Sequence, residues 1–135
     1  MNDREQLLDI ARAALEASSA EQTEVLVGSG SSGLTRFANN AIHQNVHKTS
    51  VDISMRAVVG KKIGVASTND TSKEALHDLA RRALALARNA EDLEDFVSLP
   101  APVADVAETD LEPFASTVDY GPEQRAVAVR QMVQI

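Results

Sequence analysis

Apolar and polar positions alternate from Val51 to Val59. Val51, Ile53, Met55, Ala57 and Val59 point one way; Asp52, Ser54 and Arg56 point the other. That period of two predicts a half-buried strand. Gly60-Lys61 then predicts a two-residue type II′ turn, with glycine at the first central position. Ile63 to Ser67 is predicted to return as the antiparallel partner. Glu24 to Val27 reads as a shorter strand, ended by Gly28-Ser29-Gly30-Ser31-Ser32-Gly33.

Elsewhere the period is that of a helix. Leu7, Leu8, Ala11, Ala14 and Leu15 predict one apolar face for a helix over residues 3–18, with Asp3 and Glu5 in the first turn, where the helix dipole favours acids. Thr71 and Glu74 have capping-box spacing. The stripe Leu76, Leu79, Ala80, Ala83, Leu84, Ala87 follows to about Asn89. Gly121-Pro122-Glu123 predicts a further helix start, with Pro122 in the first turn. Val127, Met132 and Val133 on that helix have no evident partner, so it is expected to continue within a longer protein. The order is helix, about four strands, helix, extended linker. This predicts an α+β fold: a mostly antiparallel sheet of about four strands flanked by two helices. The domain is expected over 1–98, an acidic Pro-containing linker over 99–120, and the start of a helix over 121–135.

Charge sharpens the linker boundary. The net charge is −7, yet residues 1–67 carry seven acids and seven bases. Residues 91–123 carry ten acids, no Lys or Arg, and all four prolines. Such a stretch self-repels and interrupts regular structure. A chain with this balance is not expected to bind a nucleic-acid backbone, which needs clustered bases. No apolar run is long enough to span a membrane. No secretory signal is evident at the N-terminus, and the absence of Cys removes thiol chemistry. These features suit a cytoplasmic protein.

Three constellations are candidates for chemistry. Gly28 to Gly33 matches GxGxxG, and Asp52 lies 19 residues beyond Gly33. A dinucleotide site would need a helix directly after the glycines. Leu34, Phe37, Ala38, Ala41 and Ile42 have helical spacing, but the neighbouring Thr and Asn residues are weak helix formers. A mobile loop or broad hairpin turn is the preferred reading. His43 and His47 could share a metal on a helix, but on a strand they stand roughly 13 Å apart. Extended structure is expected, so neither a metal nor a catalytic residue is assigned. His77 is expected to be solvated on the second helix.

Arg36, Asn39, Asn40, His43 and Asn45 cluster in one segment. The two asparagines suit a turn or bulge, because Asn tolerates left-handed backbone. The functional alternative is contact with a peptide or a partner domain, since Asn both donates and accepts hydrogen bonds.

The segment Thr35 to Asn45 (TRFANNAIHQN), the hairpin Val58 to Asp70 (VVGKKIGVASTND) and the helix after it resemble the N-terminal domain of the TldD/PmbA family. The family is also called TldD/TldE or modulator of DNA gyrase. Phe96 to Pro102 (FVSLPAP) resembles the family's exit from that domain. The resemblance covers roughly residues 20–100, most specifically 35–70. It implies a cytoplasmic zinc metallopeptidase acting on unfolded peptides, with paired TldD/TldE-like subunits forming a dimer. The zinc would be held by a later HExxxH helix, which no position here matches, so no cofactor is expected in this segment. The alternative implied by the gyrase name is a regulatory interaction module without protease activity.

Overall fold

The computed structural model describes residues 4–103 and 114–133. Its elements are α1 (Arg4–Glu16), β1 (Gln22–Ala38), β2 (Ala41–Val59), β3 (Lys62–Thr68), α2 (Lys73–Asn89), α3 (Ala115–Val118) and α4 (Pro122–Val133). The fold is α+β. The three strands form one sheet in the order β1-β2-β3, close to the expected four. No membrane-length apolar helix occurs among the described residues.

Two compact units divide these elements. One comprises the described residues of Met1–Gly30 and Ser50–Pro102; the other comprises those of Ser31–Thr49 and Val103–Ile135.

The first unit holds the main core. Ile53, Met55 and Ala57 from β2, Ala66 from β3, Leu76, Leu79, Ala80, Ala83 and Ala87 from α2, and Ala14 from α1 are all buried. The predicted alternation of β2 and stripe of α2 therefore face each other. Leu84, at the margin of that stripe, is half-buried. Val58 is also fully buried, although its neighbours Ala57 and Val59 belong to the other phase of the strand.

The β2–β3 hairpin has the predicted geometry. Val59 pairs with Lys62, leaving Gly60 and Lys61 as a two-residue turn. Gly60 has φ +60° while Lys61 has no positive φ, as type II′ requires. At Gly64 the helix lies directly on the strand. A Cβ there would overlap the backbone of Ala83 and Ala87. Small residues on both surfaces let α2 approach that closely.

Three expectations are corrected here. The Gly28–Gly33 stretch is no loop: β1 runs through it without a break. Backbone ladder bonds do not depend on side chains, so a long partner strand can hold glycine and serine extended. Second, the inward face of α1 is rotated from the predicted one. Ile10, Ala13 and Ala17 pack against the core, while Leu8 and Leu15 are 42% and 44% exposed. Third, the cap of α2 is Ser72, whose hydroxyl accepts from the Ala75 N–H, rather than Thr71. The Ser72 N–H donates to Asp70 Oδ1 at 2.8 Å, and this Asx turn sets the start of the helix one residue later.

The second unit contains the outer ends of β1 and β2 with α3 and α4. Pro122 opens α4 as predicted. The four-residue helix α3 lies in the stretch expected to be extended. Residues 104–113 of that expected linker, residues 134 and 135, and Asp3 at the expected start of the first helix lie outside the described residues.

Candidate functional site

The candidate segment is the tip of the β1–β2 hairpin. Asn39 and Asn40 have φ of 50° and 59°. They lie between the end of β1 at Ala38 and the start of β2 at Ala41. Two successive left-handed residues between paired strands make a type I′ turn, the connection that matches strand twist. Asn carries less penalty there than most residues because its short amide can bond locally. The turn half of the sequence reading thus has a defined geometry. Helical spacing at Leu34, Phe37, Ala38, Ala41 and Ile42 is overridden by strand pairing.

The other candidates flank the turn. Arg36 lies on β1, with His43 and Asn45 on β2, and all three are exposed. One tie holds the two strands here: Thr35 Oγ1 donates to Asn45 Oδ1 at 2.9 Å. A residue that the sequence reading passed over joins it. Arg125, from the first turns of α4, donates through Nε to Thr35 Oγ1 at 3.1 Å and through Nη2 to Asn45 Oδ1 at 3.5 Å. Its Nη1 donates to the Tyr120 carbonyl at 2.9 Å. The guanidinium occupies the space a Cβ on Gly33 would need. Gly33 therefore provides room for an arginine, a different role from cradling a phosphate. The sequence signal for Arg125 is slight: it is the first base after Arg88.

The glycine run has no helix after it, so the helix N-terminus on which a dinucleotide fingerprint depends does not follow Gly33. His43 and His47 share the extended strand β2, which separates them by roughly 13 Å. Among the described residues no three His, Cys, Asp or Glu side chains converge as a metal site. These residues do not fit a zinc ion. His77 is exposed on α2, as expected.

In the first unit, a shallow groove is lined by Leu26, Gly28, Asp52, Ser54, Thr68 and Asn69, among others. Its carboxylate, Asp52, accepts from Ser50 Oγ at 3.3 Å. Beyond it, Asp70 has its carboxyl held below the ordinary value of 3.8, by the Ser72 backbone N–H first and the Ser72 hydroxyl second. Asp78 is lowered too, chiefly by its hydrogen bond from Arg81. Asp70 sets the start of α2 through Ser72, while Asp78 pairs with Arg81 and Arg82 along the surface of the same helix. The tip offers hydrogen-bond donors and acceptors on exposed backbone and amides.

Comparison with known proteins gives part of this chain a family likeness. Residues 23–87 match the family model described as PmbA/TldA metallopeptidase domain 1. The match runs from the first residues of β1 to the last turn of α2. The fold is similar to that of TldE from Thermococcus kodakarensis, with TM-score 0.70 and 17% identity over 92% of this chain and 27% of that one. It is also similar to a putative modulator of DNA gyrase from Bacteroides thetaiotaomicron, with TM-score 0.63 and 16% identity over 92% of this chain and 28% of the other. No curated protein matches the sequence. The chain spans little more than a quarter of the length of these structural relatives. At these identities the structures speak for the fold, and the family match is carried by residues 23–87, which are similar to the first domain of the TldD/PmbA family.

Proposed function

We propose that this chain is the N-terminal, non-catalytic domain of a TldD/TldE-like zinc metallopeptidase that acts on unfolded peptides. Its contribution is substrate handling and pairing with a second TldD/TldE-like subunit. The observation that carries this reading is the match of residues 23–87 to the first domain of a metallopeptidase family. Zinc and the residues that activate water belong, in this reading, to a later part of the protein. The residues of this domain bind and orient; none takes part in bond cleavage. An HExxxH motif in the sequence after Ile135 would support a catalytic subunit. A complete downstream sequence without one would support a TldE-like or regulatory subunit instead.

The handling role is assigned to the hairpin tip. A peptide of any sequence presents backbone N–H and C=O groups, and Asn side chains can meet both. The test uses two double variants of the full-length complex. Asn39→Gly with Asn40→Gly keeps positive φ and removes the amides. Asn39→Ala with Asn40→Ala removes the amides and also strains the turn, by about 1 kcal/mol per position. A handling role predicts lower peptide turnover in both variants, with the Gly pair retaining the wild-type melting temperature. Wild-type turnover in the Gly pair, with loss of stability only in the Ala pair, would reduce the tip to a turn.

A further inference from the structure

The ties of Arg125 carry the inference. Ile53 of β2 pairs with Thr68, the last residue of β3. From there β1 and β2 run on as a ribbon to the Asn39-Asn40 turn. The outer part of that ribbon, Ser31–Thr49, belongs to the same unit as α4. Composition does little to hold this arm. Ser31, Ser32, Gly33, Asn39, Asn40 and Asn45 are weak strand formers, and a two-stranded ribbon is marginal by itself. Side-chain ties therefore weigh more here than in the centre of a sheet.

Arg125 supplies such ties from one group. Its guanidinium lies across Gly33: a Cβ there would stand 2.5 Å from Nη1, 2.7 Å from Cζ and 2.9 Å from Nη2. Nε donates to the Thr35 hydroxyl on β1, and Nη2 to the Asn45 amide oxygen on β2. Thr35 in turn donates to Asn45, so three side chains close a ring that spans both strands. Nη1 donates to the Tyr120 carbonyl, which fixes the guanidinium to the turn before α4. Thr35 is half-buried while Leu34 and Arg36 on either side are exposed, as suits a residue beneath this group.

We infer that Arg125 is the positioning residue of the hairpin tip: by clamping both strands of the arm to the start of α4, it fixes where Asn39 and Asn40 stand. This deepens the handling half of the proposed function and rests on it for the peptide. The shape of the side chain fits the task. One planar group with donors in fixed directions reaches β1, β2 and the turn before α4 at once, which a lysine ammonium on a flexible stem does not reproduce. The strength of the clamp is also set by its chemistry. The acceptors are a hydroxyl, an amide and a backbone carbonyl, all neutral, whereas Arg12, Arg56, Arg81 and Arg82 meet carboxylates. Bonds to neutral acceptors are the weaker kind. Asn45→Asp keeps the acceptor and adds the charge, so it should tighten the arm.

The test is amide hydrogen exchange of the 135-residue chain, followed by NMR. Arg125→Gln and Arg125→Lys should each speed exchange over residues 34–46 at least about tenfold and leave residues 53–57 and 76–87 unchanged. Thr35→Val should do the same, and Thr35→Ser, which keeps the hydroxyl, should not. Asn45→Asp should slow exchange in the arm and lose that effect in the Arg125→Gln background. Unchanged exchange of the arm in Arg125→Gln overturns the inference. Equal loosening of arm and core overturns it too, because that is general destabilisation rather than a clamp. In the full-length complex, Arg125→Gln should raise KM for peptide with kcat unchanged, and Thr35→Ser should keep both. Wild-type KM in Arg125→Gln, with lower turnover in the Asn39/Asn40 Gly pair, overturns the inference and leaves the handling role standing. Wild-type turnover in both, with the arm loosened, sinks the handling role and leaves the clamp.

Discussion

At the scale of single residues, Gly64 is the least replaceable position in the hairpin. Gly60 is needed for its backbone angle, Gly64 for its missing side chain. Gly64→Ala sets a methyl group against the backbone of Ala83 and Ala87, and backbone cannot swing aside as a side chain can. The expected destabilisation is at the upper end of about 1–3 kcal/mol, read by urea denaturation. Gly33→Ala is the control. It meets only the flexible end of Arg125 and should cost far less. Near-equal losses would show that α2 is free to withdraw from β3. Asp70 makes a pH prediction. Its carboxyl is depressed by the Ser72 N–H and hydroxyl. A depressed folded value stabilises above the ordinary value of 3.8 and is lost as pH falls through the lowered one. Asp70→Asn should therefore be less stable than wild type near neutrality and converge with it under acid. A constant gap in melting temperature down to the acid limb would remove Asp70 as a titrating anchor.

At the scale of elements, α1 shows how a pattern can be right in kind and wrong in phase. Leu7, Leu8, Ala11, Ala14 and Leu15 form an acceptable stripe, but so do Leu7, Ile10, Ala14 and Ala17. Both satisfy a 3.6-residue period. The partner surface decides between them: α1 packs beside α2, where Ala13, Ala14 and Ala17 allow close approach. Leu8→Gln or Leu15→Gln should then change stability by no more than about 0.5 kcal/mol. Ile10→Ala should cost more, on the order of 2 kcal/mol. Thermal or urea unfolding of the three variants ranks them, and the reverse ranking would return the helix to the predicted face. The strand β1 is a similar case. Its Gly/Ser run has no hydrophobic period to read, so a local reading ends the strand at Val27. The ladder to β2 carries it to Ala38.

At the scale of the whole molecule, the legible part was the element order, and the illegible part was the partnership between elements. Residues 31–49 read in sequence as part of one 1–98 domain, yet they fall into the unit that also holds α4. The tie of Arg125 to Thr35 and Asn45 spans 90 and 80 residues. No local window contains both partners.

By itself the sequence determined the β2–β3 hairpin with its type II′ turn, the buried stripe of α2, and Pro122 as the start of α4. Each rests on backbone preferences or a periodicity contained within a few residues. Only tertiary structure decided the face of α1, the unbroken course of β1, the shift of the cap to Ser72, the need for Gly64 and the role of Arg125. Those depend on which surface arrives from elsewhere in the chain, and pairing and close packing are energies between segments that no single segment encodes.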